Sequence, residues 1–127
     1  ERNLMRLFFH PEGIRSFVTN WKTLAPVVWC RSQREAEAFG GLEMQRVLTE
    51  LRPYQDVETL RGGEDVVLVP VLPVEIARDG VRISLFTVIA TFGTAQDVTT
   101  DELRLECMFP ADEATESLFR SARRPRT

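Results

Sequence analysis

Few residues in this chain can do covalent or acid–base chemistry, and they are scattered. Among its 127 residues are one histidine, His10, and two cysteines, Cys30 and Cys107. His10 stands directly before Pro11, which pushes it out of the helical region and suits a capping or turn role better than that of a base. Neither cysteine has a histidine beside it in sequence, and the two show no metal-ligand spacing. Their apolar neighbours point to buried free thiols in a reducing compartment rather than to a disulfide. No Gly-x-Ser-x-Gly elbow, HExxH, CxxC, P-loop or dinucleotide glycine pattern occurs. The acidic residues are dispersed, and Asp112, Glu113 and Glu116 suit the start of a helix. Catalysis by a nucleophile or an acid–base pair needs convergent partners. The expectation is therefore a protein that is not an enzyme, with no metal site and no cofactor. One histidine is also poor support for haem, and no cysteine-bearing flavin motif stands out.

Aromatic residues are more telling. Phe8, Phe9, Phe17, Trp21, Trp29 and Phe39 crowd the first third of the chain, and Phe86, Phe92 and Phe109 fall in strand-like stretches. Such residues make an ordinary core, or they line an apolar cavity where large side chains mesh imperfectly. The tryptophans fit the second reading best, because a buried indole N–H seeks an acceptor and often lies at a pocket edge.

What must position these residues is a long β-ribbon, residues 66–92. Two runs of β-favouring residues flank Asp79-Gly80, a pair suited to a two-residue turn with positive φ at both positions. Arg78 then faces Val81. One face carries Ile76–Ile83, Val74–Leu85, Leu72–Thr87 and Pro70–Ile89; the other carries Pro73–Phe86, Val71–Val88, Val69–Ala90 and Val67–Phe92. Polar pairs, Glu75–Ser84 and Ala77–Arg82, mark the second face only near the turn. Further along both faces are apolar, so helices, a second subunit or a bound apolar molecule should cover each.

Upstream, apolar positions predict a short helix over residues 2–9, broken at His10-Pro11. Ile14, Phe17, Val18, Trp21, Leu24, Ala25 and Val28 follow helical spacing, with a kink or split expected near residues 22–25 because of Pro26. Asn20 could cap a helix restarting at Trp21. The pattern runs on to Phe39 and stops at Gly40-Gly41. Residues 42–52 predict a helix with Met44, Val47, Leu48 and Leu51 on one face, ended by Pro53, and residues 55–60 a further helical turn. After a polar loop at 93–102, residues 103–109 alternate as a strand with Leu103, Leu105, Cys107 and Phe109 inward. A terminal helix follows over 111–121, with Ala114, Leu118 and Phe119 inward. The order gives an α+β fold with an antiparallel sheet.

Apolar content of 43% and charged content of 28% are those of a soluble globule, and the length suits one domain. No apolar run reaches the length of a membrane span, and no secretory signal is legible. The start at Glu1, already inside an apolar pattern, reads as a piece of a longer polypeptide. The net charge is −3; without the four arginines of residues 120–127 the remainder carries −7. That balance opposes direct duplex binding, and residues 122–127 read as a solvated basic tail behind a domain of residues 1–121.

The run Asn3-Leu4-Met5-Arg6-Leu7-Phe8-Phe9-His10-Pro11, followed by Arg15, Phe17-Val18, Asn20-Trp21 and Cys30-Arg31, resembles the opening of the MmyB-like ligand-binding domain. Leu48-Thr49-Glu50-Leu51-Arg52 is similar to that family's next helix, and residues 81–91 and 103–110 to its C-terminal sheet. Asn20 stands where Asp is usual and Cys30 where Leu is usual, and residues 55–70 lack the family's Trp-rich basic segment. The resemblance implies a PAS-like domain, with N-terminal helices packed on an antiparallel sheet and a C-terminal helix. It implies a cytoplasmic bacterial transcription regulator whose helix-turn-helix lies outside this chain, so that DNA is met only through that missing domain. It also implies an apolar ligand such as a fatty acid. Phe17, Trp21, Trp29, Phe86 and Val88 would then line the cavity, with Arg31 or His10 meeting a polar head group. A homodimer is expected, and the competing expectation is a purely structural dimerisation module without a ligand.

Overall fold

The computed structural model describes residues 3–39, 41–62, 72–91 and 104–123. They divide between two compact units, Glu1–Val69 and Pro70–Thr127. The first is helical and the second carries the sheet and the terminal helix, so the predicted α+β class holds.

In the helical unit, α1 spans Leu4–Phe9. Asn3 starts it: its Oδ1 accepts from the backbone N–H groups of Met5 (3.0 Å) and Arg6 (3.1 Å), two donors that a helix start leaves unpaired. His10 ends it with ψ 138°, the extended geometry that Pro11 imposes. A single 3₁₀ turn follows at Ile14–Phe17 and closes at Val18. The predicted long helix therefore divides, but earlier than expected. α2 begins at Trp21, with the Asn20 carbonyl accepting from Thr23 and Leu24, and runs through Pro26 to Phe39 without a break. Pro26 is its sixth residue, and the one N–H it lacks would have met the carbonyl of Lys22, an exposed residue.

α3 (Leu42–Leu51) passes into a 3₁₀ turn at Arg52–Tyr54, and α4 (Val57–Leu60) follows. Leu24, Ala25, Trp29 and Ala36 of α2, Val47, Leu48 and Leu51 of α3 and Phe9 of α1 are all buried. They sit one helical turn or so apart along each element, as an amphipathic stripe requires. Ser32, buried among them, is satisfied by donating to the Val28 carbonyl at 2.8 Å. On the surface, Arg6 grips the Glu50 carboxylate in a bidentate pair, with a shortest contact of 2.8 Å, joining α1 to α3.

In the sheet unit, β1 (Val74–Arg78), β2 (Val81–Thr91) and β3 (Arg104–Pro110) form an antiparallel sheet in the order β1-β2-β3. The turn is as the sequence implies: Asp79 has φ 52° and Gly80 φ 78°. Arg78 pairs with Val81 and Val74 with Leu85. Because β1 begins at Val74, the expected Leu72–Thr87 and Pro73–Phe86 pairs do not extend the ladder. The pairs expected for Pro70, Val71, Val69 and Val67 involve residues outside the described ones, as Phe92 also is.

Two burial expectations are corrected here. β3 does not turn one face inward, because Leu105 and Phe109 are 50% and 45% exposed; Leu103 lies outside the described residues. In the terminal helix α5 (Glu113–Ala122), Ala114, Leu118 and Phe119 are exposed and the buried residue is Thr115. The reason is a polar one. β3 stops pairing at Pro110, opposite Leu85, so the next backbone groups of β2 need new partners. The Ser84 carbonyl accepts from Ala111 N–H at 2.8 Å, and Ser84 N–H donates to Thr115 Oγ1 at 2.9 Å. The helix thus supplies the acceptor that a strand would have supplied. The Thr115 hydroxyl also bonds Asp112, whose Oδ1 caps α5 by accepting from Thr115 N–H at 2.8 Å.

Thr115→Val keeps the shape but removes both hydroxyl bonds, leaving the buried Ser84 N–H without an acceptor. The expected cost is about 1–3 kcal/mol, read as a lower urea midpoint by far-ultraviolet circular dichroism. An unchanged midpoint would show that the bond contributes nothing. The helix ends at Ala122, and residues 124–127 of the basic tail lie outside the described residues.

Candidate functional site

The end of α1 is where the helical unit gathers its aromatic rings. Phe9, fully buried, lies edge-on to Phe8 (4.9 Å between centroids), Trp21 (5.7 Å) and Trp29 (5.1 Å). Phe8 and Trp21 meet at 4.8 Å in a tilted pair. Edge-to-face contacts of this kind add to the area the rings bury. Phe9 is therefore the hub through which Trp21 and Trp29 meet, although residue type alone singles out the tryptophans.

The same helix end is a polar hub. The Phe9 carbonyl, freed where α1 stops, accepts from Arg15 Nη1 (3.3 Å) and Gln55 Nε2 (3.2 Å). Arg15 Nη1 also reaches the Tyr54 carbonyl at 2.9 Å, and Gln55 Nε2 the Leu51 carbonyl at 2.9 Å. The Arg15 guanidinium lies 4.8 Å from the centroid of the Trp21 ring, a cation–π contact. Three buried polar atoms of this unit have no hydrogen-bond partner among the described residues: Trp21 Nε1, Trp29 Nε1 and Gln55 Oε1. Sequence reasoning passed over Arg15 and Gln55, because two side chains converging on one carbonyl leave no periodic or spacing signal.

The other expected residues occupy distinct settings. His10 caps α1, its Nδ1 accepts from Glu12 N–H at 3.1 Å, and its ring lies 5.0 Å from that of Tyr54. Phe17 is half-buried in the 3₁₀ turn, and Arg31 is exposed on α2. Trp29 is 1% exposed, which makes it core. In the sheet unit, Phe86 stacks on Phe109 at 5.5 Å, and Val88 lies opposite Cys107. Two open grooves mark the helical unit. One, of about 310 Å³, lies between α2 and α3 over Trp29, Ala36 and Leu48; the other, of about 490 Å³, runs along α3 past Leu42, Arg46 and Thr49. Of the expected site residues, Trp29 alone lines either.

Both cysteines are free and half-buried. Among the described residues, no three metal-ligating side chains gather and no helix is long and apolar enough to cross a membrane.

One titration follows from the caps. Asp56 caps α4, its Oδ1 accepting from Thr59 N–H at 2.8 Å. Bonds from the Thr59 hydroxyl and backbone hold its carboxyl below the usual range, with smaller help from Arg15 and Lys22. A depressed folded-state value means the stabilisation is fully present above the unfolded value of about 3.9 and is lost as pH falls through the lower folded one. Asp56→Ala is expected to cost about 1 kcal/mol at pH 7. The difference from the native protein should begin to narrow below about pH 4 and close as pH falls through the lowered folded-state value, as urea titrations followed by tryptophan emission would show. A gap that stays constant down to pH 2.5 would refute the cap's role.

No curated protein and no solved structure matches the chain. A family model does, over residues 1–122, the whole of both units up to the last residue of α5. The chain belongs to the MmyB-like transcription regulator ligand binding domain family.

Proposed function

We propose that this domain senses an apolar small molecule, a fatty acid or a molecule like one, for a cytoplasmic helix-turn-helix regulator that works as a homodimer. The observation that carries the reading is apolar surface on both faces of the β2–β3 ribbon. Val88 and Ile89 follow one another in sequence and so point to opposite faces, yet they are 47% and 41% exposed. Leu105 and Phe109 share the face of Val88, and Met108 that of Ile89. Apolar exposure on both sides of one ribbon is what a guest or a twin subunit would cover. On this ribbon the proposed lining residues are Phe86 and Val88. The ligand acts by favouring one packing of the domain, and so one spacing of the attached DNA-binding modules.

Native mass spectrometry of gently purified protein, with solvent extraction of whatever it carries, tests this directly. A ligand at a hundredfold excess over its Kd adds about 2.7 kcal/mol, which raises Tm by roughly 10 °C in a domain of this size. The reading fails if nothing co-purifies and no medium- or long-chain fatty acid moves Tm. The same ribbon supports a second reading, a homodimerisation module without a ligand. A dimer in sedimentation that holds no lipid and shows no thermal shift would establish it.

A further inference from the structure

β3 is an edge of the sheet, and the bonds at its far end show which of its backbone groups face outward. Ser84 turns both its backbone groups toward the β3 side, its carbonyl to Ala111 N–H and its N–H to Thr115. That direction alternates along a strand, so Phe86, Val88 and Ala90 also bond toward β3. Their partners Phe109, Cys107 and Leu105 therefore point their N–H and C=O groups inward. Glu106 and Met108 point theirs outward, and no strand lies beyond them among the described residues. An edge of this kind pairs with another strand unless charge, proline or shortness blunts it. Between Leu105 and Phe109 the only charged residue is Glu106, whereas Leu105, Met108 and Phe109 are exposed. At the opposite edge, Val74 and Ile76 of β1 are half-buried.

We propose that β3 pairs edge to edge with β3 of a second copy of this chain, antiparallel, about a two-fold axis at Cys107. This rests on the reading of the domain as a homodimer and names the surface that serves. Cys107 is the midpoint of β3 (Arg104–Pro110), so no other centre pairs the whole strand with itself. With that centre Glu106 faces Met108 of the second copy and Met108 faces Glu106, and every outward N–H and C=O of the two residues is met. Leu105 falls opposite Phe109 of the second copy, an apolar pair at each end of an apolar strip that continues onto Val88. Centring on Glu106 would instead oppose two like charges. Centring on Met108 would set Glu106 against Pro110, which has no N–H to give. A two-fold contact closes on itself and stops at a dimer.

Two measurements on the full chain test the register. Cys107 would face its own copy at a non-hydrogen-bonded pair, where Cα atoms lie about 4.5 Å apart, within the span of a disulfide. Diamide should therefore join the two Cys107 thiols, itself taking up the two protons and two electrons released, and peptide mapping should find that bond between chains. Met108 is exposed, so a charge there leaves the monomer's fold intact. Met108→Lys, facing Glu106 of the second copy at both ends of the contact, should tighten the dimer about fivefold in sedimentation, and Met108→Glu should loosen it by a similar factor. A dimer that forms no Cys107 disulfide and ignores the charge placed at Met108 uses another surface, which overturns this pairing and leaves the homodimer reading standing. A monomer at millimolar concentration overturns both, and lipid carried by that monomer would still support the sensor reading.

Discussion

Phe9→Ala should cost about 3–5 kcal/mol, the range for removing a buried aromatic ring. Few substitutions in this chain should do more damage. Phe9 is 0% exposed, and its ring is the shared neighbour of Phe8, Trp21 and Trp29. Truncation leaves a void among one ring of α1, Phe8, and two of α2, Trp21 and Trp29, and closing it requires the two helices to shift. Both tryptophans of the chain lie in the helical unit, so urea unfolding followed by indole emission reports on this unit alone. A cost below about 1 kcal/mol would mean that the cluster collapses freely and that Phe9 is not its hub.

Gly13→Ala is the second large effect. Gly13 has φ −83°, so its backbone is open to any residue; space is what forbids a side chain. A Cβ there would fall on the carbonyl oxygen of Leu7, deep inside van der Waals contact, with the His10 carbonyl also within 3.1 Å. Both obstacles are backbone, and neither can swing aside as a side chain would. The turn between α1 and the 3₁₀ segment must open, which strains the bonds that Arg15 and Gln55 make to Phe9. The expected cost is about 3 kcal/mol, the upper end for overpacking. It should appear as a lower Tm and as faster hydrogen exchange of the Gly13 N–H, which donates to His10 at 2.8 Å. Native-like stability in this variant would show that the turn is pliable.

Local rules carried much of the architecture. Asp79-Gly80 specified the turn, and the turn specified every pair from Arg78–Val81 to Val74–Leu85. Asn3, His10-Pro11 and Gly41 set helix limits through chemistry confined to a few neighbours. The sequence misled where helical spacing continued across a break. Ile14 and Phe17 lie in phase with Trp21, but residues 18–20 leave the helix, and no periodicity reveals that. Thr115 was missed for a different reason. Its burial answers a need created at Ser84, on another element, and a search for apolar faces selects Leu118 and Phe119 instead. The candidate site divides along the same line. Aromatic type nominated Trp21 and Trp29 equally, yet one is half-buried and the other is core. The convergence of Arg15 and Gln55 on one carbonyl exists only once the chain has folded.

The hydroxyl bond between Thr115 and Ser84 also has a mechanical meaning. A slip of β2 by a single residue would trade its two faces and, in the same movement, drag Ser84 away from the start of α5. The terminal helix therefore acts as a detent on the ribbon: β2 cannot creep along its neighbour without first uncoupling from α5. That fixes which greasy side chains each flank displays, whatever comes to rest on them.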